Sequence, residues 1–144
     1  MHIVTSITVP APRETVWRTF IDVERWPEWS PWDLRFPGER RLDVGAPFFL
    51  RVAAPFLPML TLEFHCLGEA LENPRLISWT GGVFGASGYH RFTFEDVPGG
   101  CRVLSEEELH GPGTVLLRPA RPIIKARVID FMTRLSREAC SNRA

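Results

Sequence analysis

The residues best placed to do chemistry are His90 and Glu107. His90 shares a strand face with Phe92 and Phe94, opposite Tyr89, Arg91, Thr93 and Glu95. The alternation puts the imidazole on the apolar side. A neutral imidazole there can orient a hydroxyl or carbonyl of a ligand, or act as a general base. A histidine satisfied within the core is the more ordinary outcome. Glu107 belongs to the following strand, in the inward set Val103, Ser105, Glu107 and Leu109. A carboxylate facing inward is costly unless it pairs or takes up a proton, so Glu107 should pair or carry a raised pKa. His90, Ser105 and Glu107 would then form the polar end of a largely apolar hollow. A one-residue slip of register sends Glu107 to solvent instead. No catalytic set is assigned; His90 and Glu107 are the candidates for acid–base work.

Walls for such a hollow are available. Phe64, Trp79 and Phe92 would supply one from the sheet, and Ile124, Val128 and Phe131 the other from a helix, with Trp17 a further candidate. Apolar walls with a few polar groups suit a small-molecule pocket, though plain core packing uses the same residues. No metal site is expected. His65 and Cys66 are adjacent on a strand and point to opposite faces, and His2, His65, His90 and His110 are widely separated. Gly81-Gly82-x-x-Gly85 is not followed by a helical pattern, so it is no phosphate cradle, and no dinucleotide or nucleophile-elbow motif is present. No cofactor is expected.

The elements that would position these groups follow from periodicity. At the C-terminus, Ile124, Val128, Phe131, Met132, Leu135 and Ala139 recur at steps of three and four, which predicts a long helix over about 122–139 with one apolar stripe. Its other side carries Arg121, Lys125, Arg127, Arg134 and Arg137. The chain opens with a strand over 2–9, stopped by Pro10 and Pro12, and a helix over about 13–21. Asp22 is placed to cap a second short helix over 23–26, limited by Pro27. Trp26, Trp29 and Trp32 then crowd into seven residues, as if to seal a core or line a pocket mouth.

Strand patterns follow over 34–41 (weak, broken by Pro37-Gly38), 47–53, 59–71, 76–80, 88–95 and 101–110. Gly81, Gly82, Gly85 and Gly88 read as a loose connection, and Pro98-Gly99-Gly100 as a hairpin turn. Short loops imply antiparallel pairing, and one apolar face per strand implies one covered side. A twisted sheet of this size curls, and a single helix can sit in its hollow.

Composition limits the alternatives. A chain of 144 residues fits one domain, residues 1–144, and can bury about 70% of its unfolded surface. Seventeen basic residues balance seventeen acidic ones, so overall charge gives no reason to expect nucleic acid. From Arg118 onward, however, seven basic residues face only Asp130 and Glu138. That segment is either a solvated helix face or a surface for anionic lipid or an acidic partner. Three cysteines cannot all pair, and neither a leader pattern nor an apolar run of about 18 residues occurs, so a cytoplasmic protein with reduced thiols is expected.

The opening Ile7-x-Val9-x-Ala11-Pro12-x-x-x-Val16-Trp17, followed by Phe20-x-Asp22-x-x-x-Trp26-Pro27-x-Trp29-x-Pro31, resembles the helix-grip superfamily. This superfamily includes the START domains, the birch-pollen allergen fold and the polyketide cyclase/dehydrase-like families. Leu42-x-Val44-Gly45-x-x-Phe48, Pro74-x-x-x-x-Trp79 and Gly99-Gly100-Cys101-Arg102-Val103 extend the resemblance over essentially the whole chain. It implies an α+β fold: a curved seven-stranded antiparallel sheet around a long C-terminal helix, with two short helices between strands 1 and 2. It also implies an elongated cavity for a small hydrophobic molecule such as a lipid, polyketide or quinone. Some members are cyclases and many only carry a ligand, so no catalytic residues transfer.

Overall fold

The structure, a computed structural model, describes residues 1–142. Ala144 and Arg143, one of the basic residues counted above, lie outside the described residues. The elements run β1 (His2–Val9), α1 (Arg13–Ile21), a 3-10 turn (Val23–Arg25), α2 (Trp26–Trp29), β2 (Asp33–Arg35), β3 (Pro47–Ala53), β4 (Thr61–Glu72), β5 (Leu76–Val83), β6 (Ala86–Val97), β7 (Gly100–His110), α3 (Thr114–Leu117), a second 3-10 turn (Arg118–Ala120) and α4 (Arg121–Ser141). The seven strands form one antiparallel sheet in the order β1-β7-β6-β5-β4-β3-β2, and α4 packs against β1, α1 and α2. This is the helix-grip architecture.

The stripe on α4 is what holds it there. Val128, Phe131, Met132, Leu135 and Ala139 are all buried, as the 3.6-residue spacing requires of a helix with one covered side. Phe131 is the centre of an aromatic cluster. Its ring lies 5.8 Å from Phe20, 5.1 Å from Trp26, 5.4 Å from Trp29 and 5.8 Å from Phe92, and it stacks on Trp32 at 4.0 Å and 4°. The Trp26 indole donates its N–H to the Phe20 carbonyl at 2.8 Å, which satisfies a polar group that burial would otherwise strand.

Several local readings change. The second helix is a 3-10 turn followed by α2, and Pro27 sits in the first turn of α2, where its missing N–H is harmless. The Asp22 side chain makes no capping bond; its backbone carbonyl accepts from Arg25 N–H at 3.1 Å instead. β2 spans only Asp33–Arg35, so it keeps two residues of the strand expected over 34–41 and ends before Pro37-Gly38. The connection before α4 contains α3 and a 3-10 turn. Gly81 and Gly82 lie inside β5 and Gly88 inside β6, so the β5–β6 connection is a tight turn at Phe84-Gly85.

Phe84 and Gly85 both have positive φ, +46° and +73°. Asn-Gly is the favoured pair for such a two-residue hairpin turn, and a phenylalanine there is strained. Phe84 is 76% exposed and recovers little packing in return. Phe84→Asn is therefore expected to raise stability by about 1 kcal/mol. A thermal melt with an unchanged or lower midpoint would contradict this.

Candidate functional site

The pairing of the central strands builds the site. Trp79 on β5 lies directly opposite His90 on β6, which lies opposite Glu107 on β7. These three residues thus form one row across the concave face. One pleat nearer the β5–β6 turn, Gly81 faces Gly88, and Gly88 faces Leu109. Both glycines line a hollow under the helix. A Cβ at Gly88 would overlap the carbonyl oxygen of Glu108, so that position takes only glycine. Of the four glycines that suggest a loose connection, Gly81 and Gly88 line the cavity and Gly82 and Gly85 do not.

The cavity has a volume of about 90 Å³, the space that about three waters take up in the liquid. Phe64, Trp79, His90, Glu107, Ile124 and Val128 line it, as alternation predicts for their faces. Phe92, Ser105 and Phe131, expected in the walls, do not line it, and neither does Trp17. Phe92 and Phe131 are fully buried against each other and the tryptophans. Trp17 packs edge-on to Phe94 at 5.3 Å. These side chains do face inward, but they lie deeper along the sheet, where α1 and α2 fill the space.

Sequence pattern leaves Trp32 undecided between core and mouth. It serves as both: it belongs to the core cluster with Trp26 and Trp29, and of the three it alone lines the cavity, with its ring 5.9 Å from His90. Leu50, Val52 and Leu62 are wall residues that the sequence reading misses, although alternation in β3 and β4 puts them on the inward face. Arg127 is missed too, because helical spacing assigns it to the solvent side of α4. Arg127 stands at the cavity edge and donates to the carbonyls of Ala53 and, at 3.3 Å, Ala54, strapping α4 to the loop after β3.

The polar end differs from the expected pair. His90 Nε2 and Ser105 Oγ share a hydrogen bond of 2.8 Å, so Ser105 serves by holding the imidazole from behind. The Glu107 carboxyl has no hydrogen bond or ion pair among the described residues, although its backbone faces His90 across the ladder. What remains accessible of Glu107 faces the cavity. Burial pushes its carboxyl up to about 7 and pushes His90 down to about 3. The same burial raises the Cys66 thiol to about 12. Near neutral pH the cavity therefore holds an uncharged imidazole, a protonated thiol and a carboxyl close to half-ionised. That carboxyl can give or take a proton, or donate its O–H to an acceptor. Among the described residues no group of three or more His, Cys, Asp or Glu side chains could hold a metal, and no helix is long and apolar enough to cross a membrane.

Comparison with solved structures shows where this fold recurs. TTHA0849 from Thermus thermophilus superposes with a TM-score of 0.79 at 15% identity, over 100% of both chains. MLL2253 from Mesorhizobium loti gives 0.73 at 18% identity over 100% of this chain and 99% of that one. Ara h 8.0201 gives 0.74 at 15% identity over 99% of both. At such identities the likeness is one of fold. A search of curated proteins finds no match to the sequence. The family model described as "Polyketide cyclase / dehydrase and lipid transport" matches residues 1–139. The chain thus belongs to the polyketide cyclase/dehydrase and lipid transport family of the helix-grip superfamily.

Proposed function

We propose that the protein binds a small, mainly apolar molecule, of one ring or a short chain, between the sheet and α4. The observation that carries this reading is the Glu107 carboxyl, unpartnered among the described residues and facing an apolar cavity. A buried carboxyl is stabilised as the neutral acid, and the neutral acid has an O–H to donate. A ligand carbonyl or hydroxyl oxygen would accept it, with His90 beside it. The walls would contribute through apolar area removed from water, roughly 25 cal/mol per Å². The modest volume argues for a compact ligand, since drug-sized pockets run to about 300 Å³ or more.

Calorimetric titration with a panel of small neutral ketones and alcohols, and their carboxylate counterparts, tests this. Neutral compounds should bind below pH ~7 and weaken above it as Glu107 ionises, while carboxylates should not bind. Leu62→Trp, which fills the cavity from a half-buried wall position, should abolish binding in a folded protein. No binding by any neutral compound, or full binding by Leu62→Trp, would remove the reading. Trp79→Ala is a poorer probe, because Trp79 packs on Phe48 at 5.5 Å and Phe92 at 5.7 Å and its loss would unsettle the core.

A catalytic reading of the same residues draws on the pKa of about 7 at Glu107, suited to proton transfer in a cyclase or dehydratase acting on a carbonyl compound. Turnover of such a compound, lost in Glu107→Gln with binding retained, would distinguish catalysis from carriage.

A further inference from the structure

Seven of the eleven exposed large hydrophobic side chains among the described residues fall on three segments: the loop between β3 and β4, the β5–β6 turn, and α3. Phe56 and Met59 stand on the first, Phe84 on the second, Val115 and Leu116 on the third. Met59 is 89% exposed and Leu116 73%. These segments meet at one end of the molecule. Gly113 N–H donates to Gly85 O at 3.1 Å, joining α3 to the β5–β6 turn. Arg127 ties α4 to Ala53 and Ala54 at the start of the β3–β4 loop. Pro55 from that loop and Leu117 from α3 both line the cavity, so this end carries its mouth.

The three apolar segments themselves carry no acidic residue, and Glu63, which lies beside the β5–β6 turn, is 3.6 Å from the Arg51 guanidinium. Residues 53–62, 76–94 and 111–129 contain no Asp or Glu, in a chain with seventeen acidic residues. Arg118, Arg121 and Lys125 are exposed just behind the apolar tips. A soluble surface normally intersperses both signs and scatters its large apolar side chains. Clustered apolar tips backed by cations match a lipid interface, where apolar side chains enter the acyl boundary and cations meet anionic headgroups. Phe84 fits the same account, since the chain keeps an exposed aromatic ring at a left-handed position where it gains little packing.

We infer that this end of the protein docks on an anionic lipid bilayer, with the tips of the β3–β4 loop, the β5–β6 turn and α3 inserted and Arg118, Arg121 and Lys125 at headgroup level. The docked mouth would then open toward the lipid. The inference stands apart from the ligand reading, because it uses none of the cavity's polar groups.

Co-sedimentation of the full chain with phosphatidylcholine vesicles, with and without phosphatidylglycerol, tests it. The protein should pellet with the anionic vesicles and be released by high salt. Lys125→Glu should weaken binding about tenfold or more, since each charge near the surface contributes about a fivefold factor. Met59→Asp and Leu116→Asp should weaken it as well, each with an unchanged melting curve because these side chains are solvent-exposed. Val44→Asp, an exposed apolar position at the opposite end of β3, should bind as wild type. Leu62→Trp should also dock normally, which separates this test from that of the cavity. The inference is overturned if anionic vesicles fail to pellet the protein or the tip variants pellet like wild type. A concentration-dependent dimer abolished by Met59→Asp would also overturn it, assigning the patch to a second copy of the chain.

Discussion

Phe131→Ala should destabilise the protein by about 3–5 kcal/mol. The ring is wholly buried and contacts Phe20, Trp26, Trp29, Trp32 and Phe92, so its removal leaves a void bounded by large, rigid side chains that collapse poorly. Through Phe20 on α1 and Trp26 and Trp29 on α2, it also helps α4 grip both helices. The contrast is with Phe64, half-buried and lining the cavity, where one side of the ring already faces open space. Phe64→Ala should lose much less stability and should act on ligand binding. Chemical denaturation of the two variants decides the matter. Equal losses would mean that wall and core have been confused.

Glu107→Gln should change the pH dependence of stability. In the unfolded chain the carboxyl titrates near 4.5, and in the folded protein near 7. The native state holds the proton more tightly, so stability falls as pH rises from about 4.5 to about 7 and levels off above that. The full loss is roughly 3 kcal/mol. Glutamine keeps the shape without the ionisation, so the variant should be more stable than wild type by roughly 2–3 kcal/mol at about pH 8 and nearly equal to it at about pH 4. His90 works in the opposite direction. Its folded pKa is depressed from 6.5 to about 3, so its stabilising contribution is complete above 6.5 and drains away as pH falls. That loss is common to the variant and wild type, so it cancels when their curves are subtracted. Parallel wild-type and Glu107→Gln curves across pH 5 to 8 would show that Glu107 is not desolvated, and the ligand reading would lose its support.

Much of the fold was legible because it rests on short-range periodicity. Alternation of side chains along a strand, and recurrence at three and four along a helix, are set by local backbone geometry. They placed His2–Val9, Arg13–Ile21 and Pro47–Ala53 and put Trp79, His90, Glu107 and Val128 on their inward faces. Depth along a face was not legible. Phe92 and His90 share a face of one strand, yet one is core and the other bounds a cavity. The difference depends on where α1 and α2, distant in sequence, come to lie. The hollow itself was hidden for a similar reason. Gly81 and Gly88 carry no pattern on their own, and they come to line it together only once the β5–β6 register sets them side by side. Which face a residue takes is decided by its neighbours in the chain; whether that face meets another side chain or an opening is decided by contacts across the whole fold.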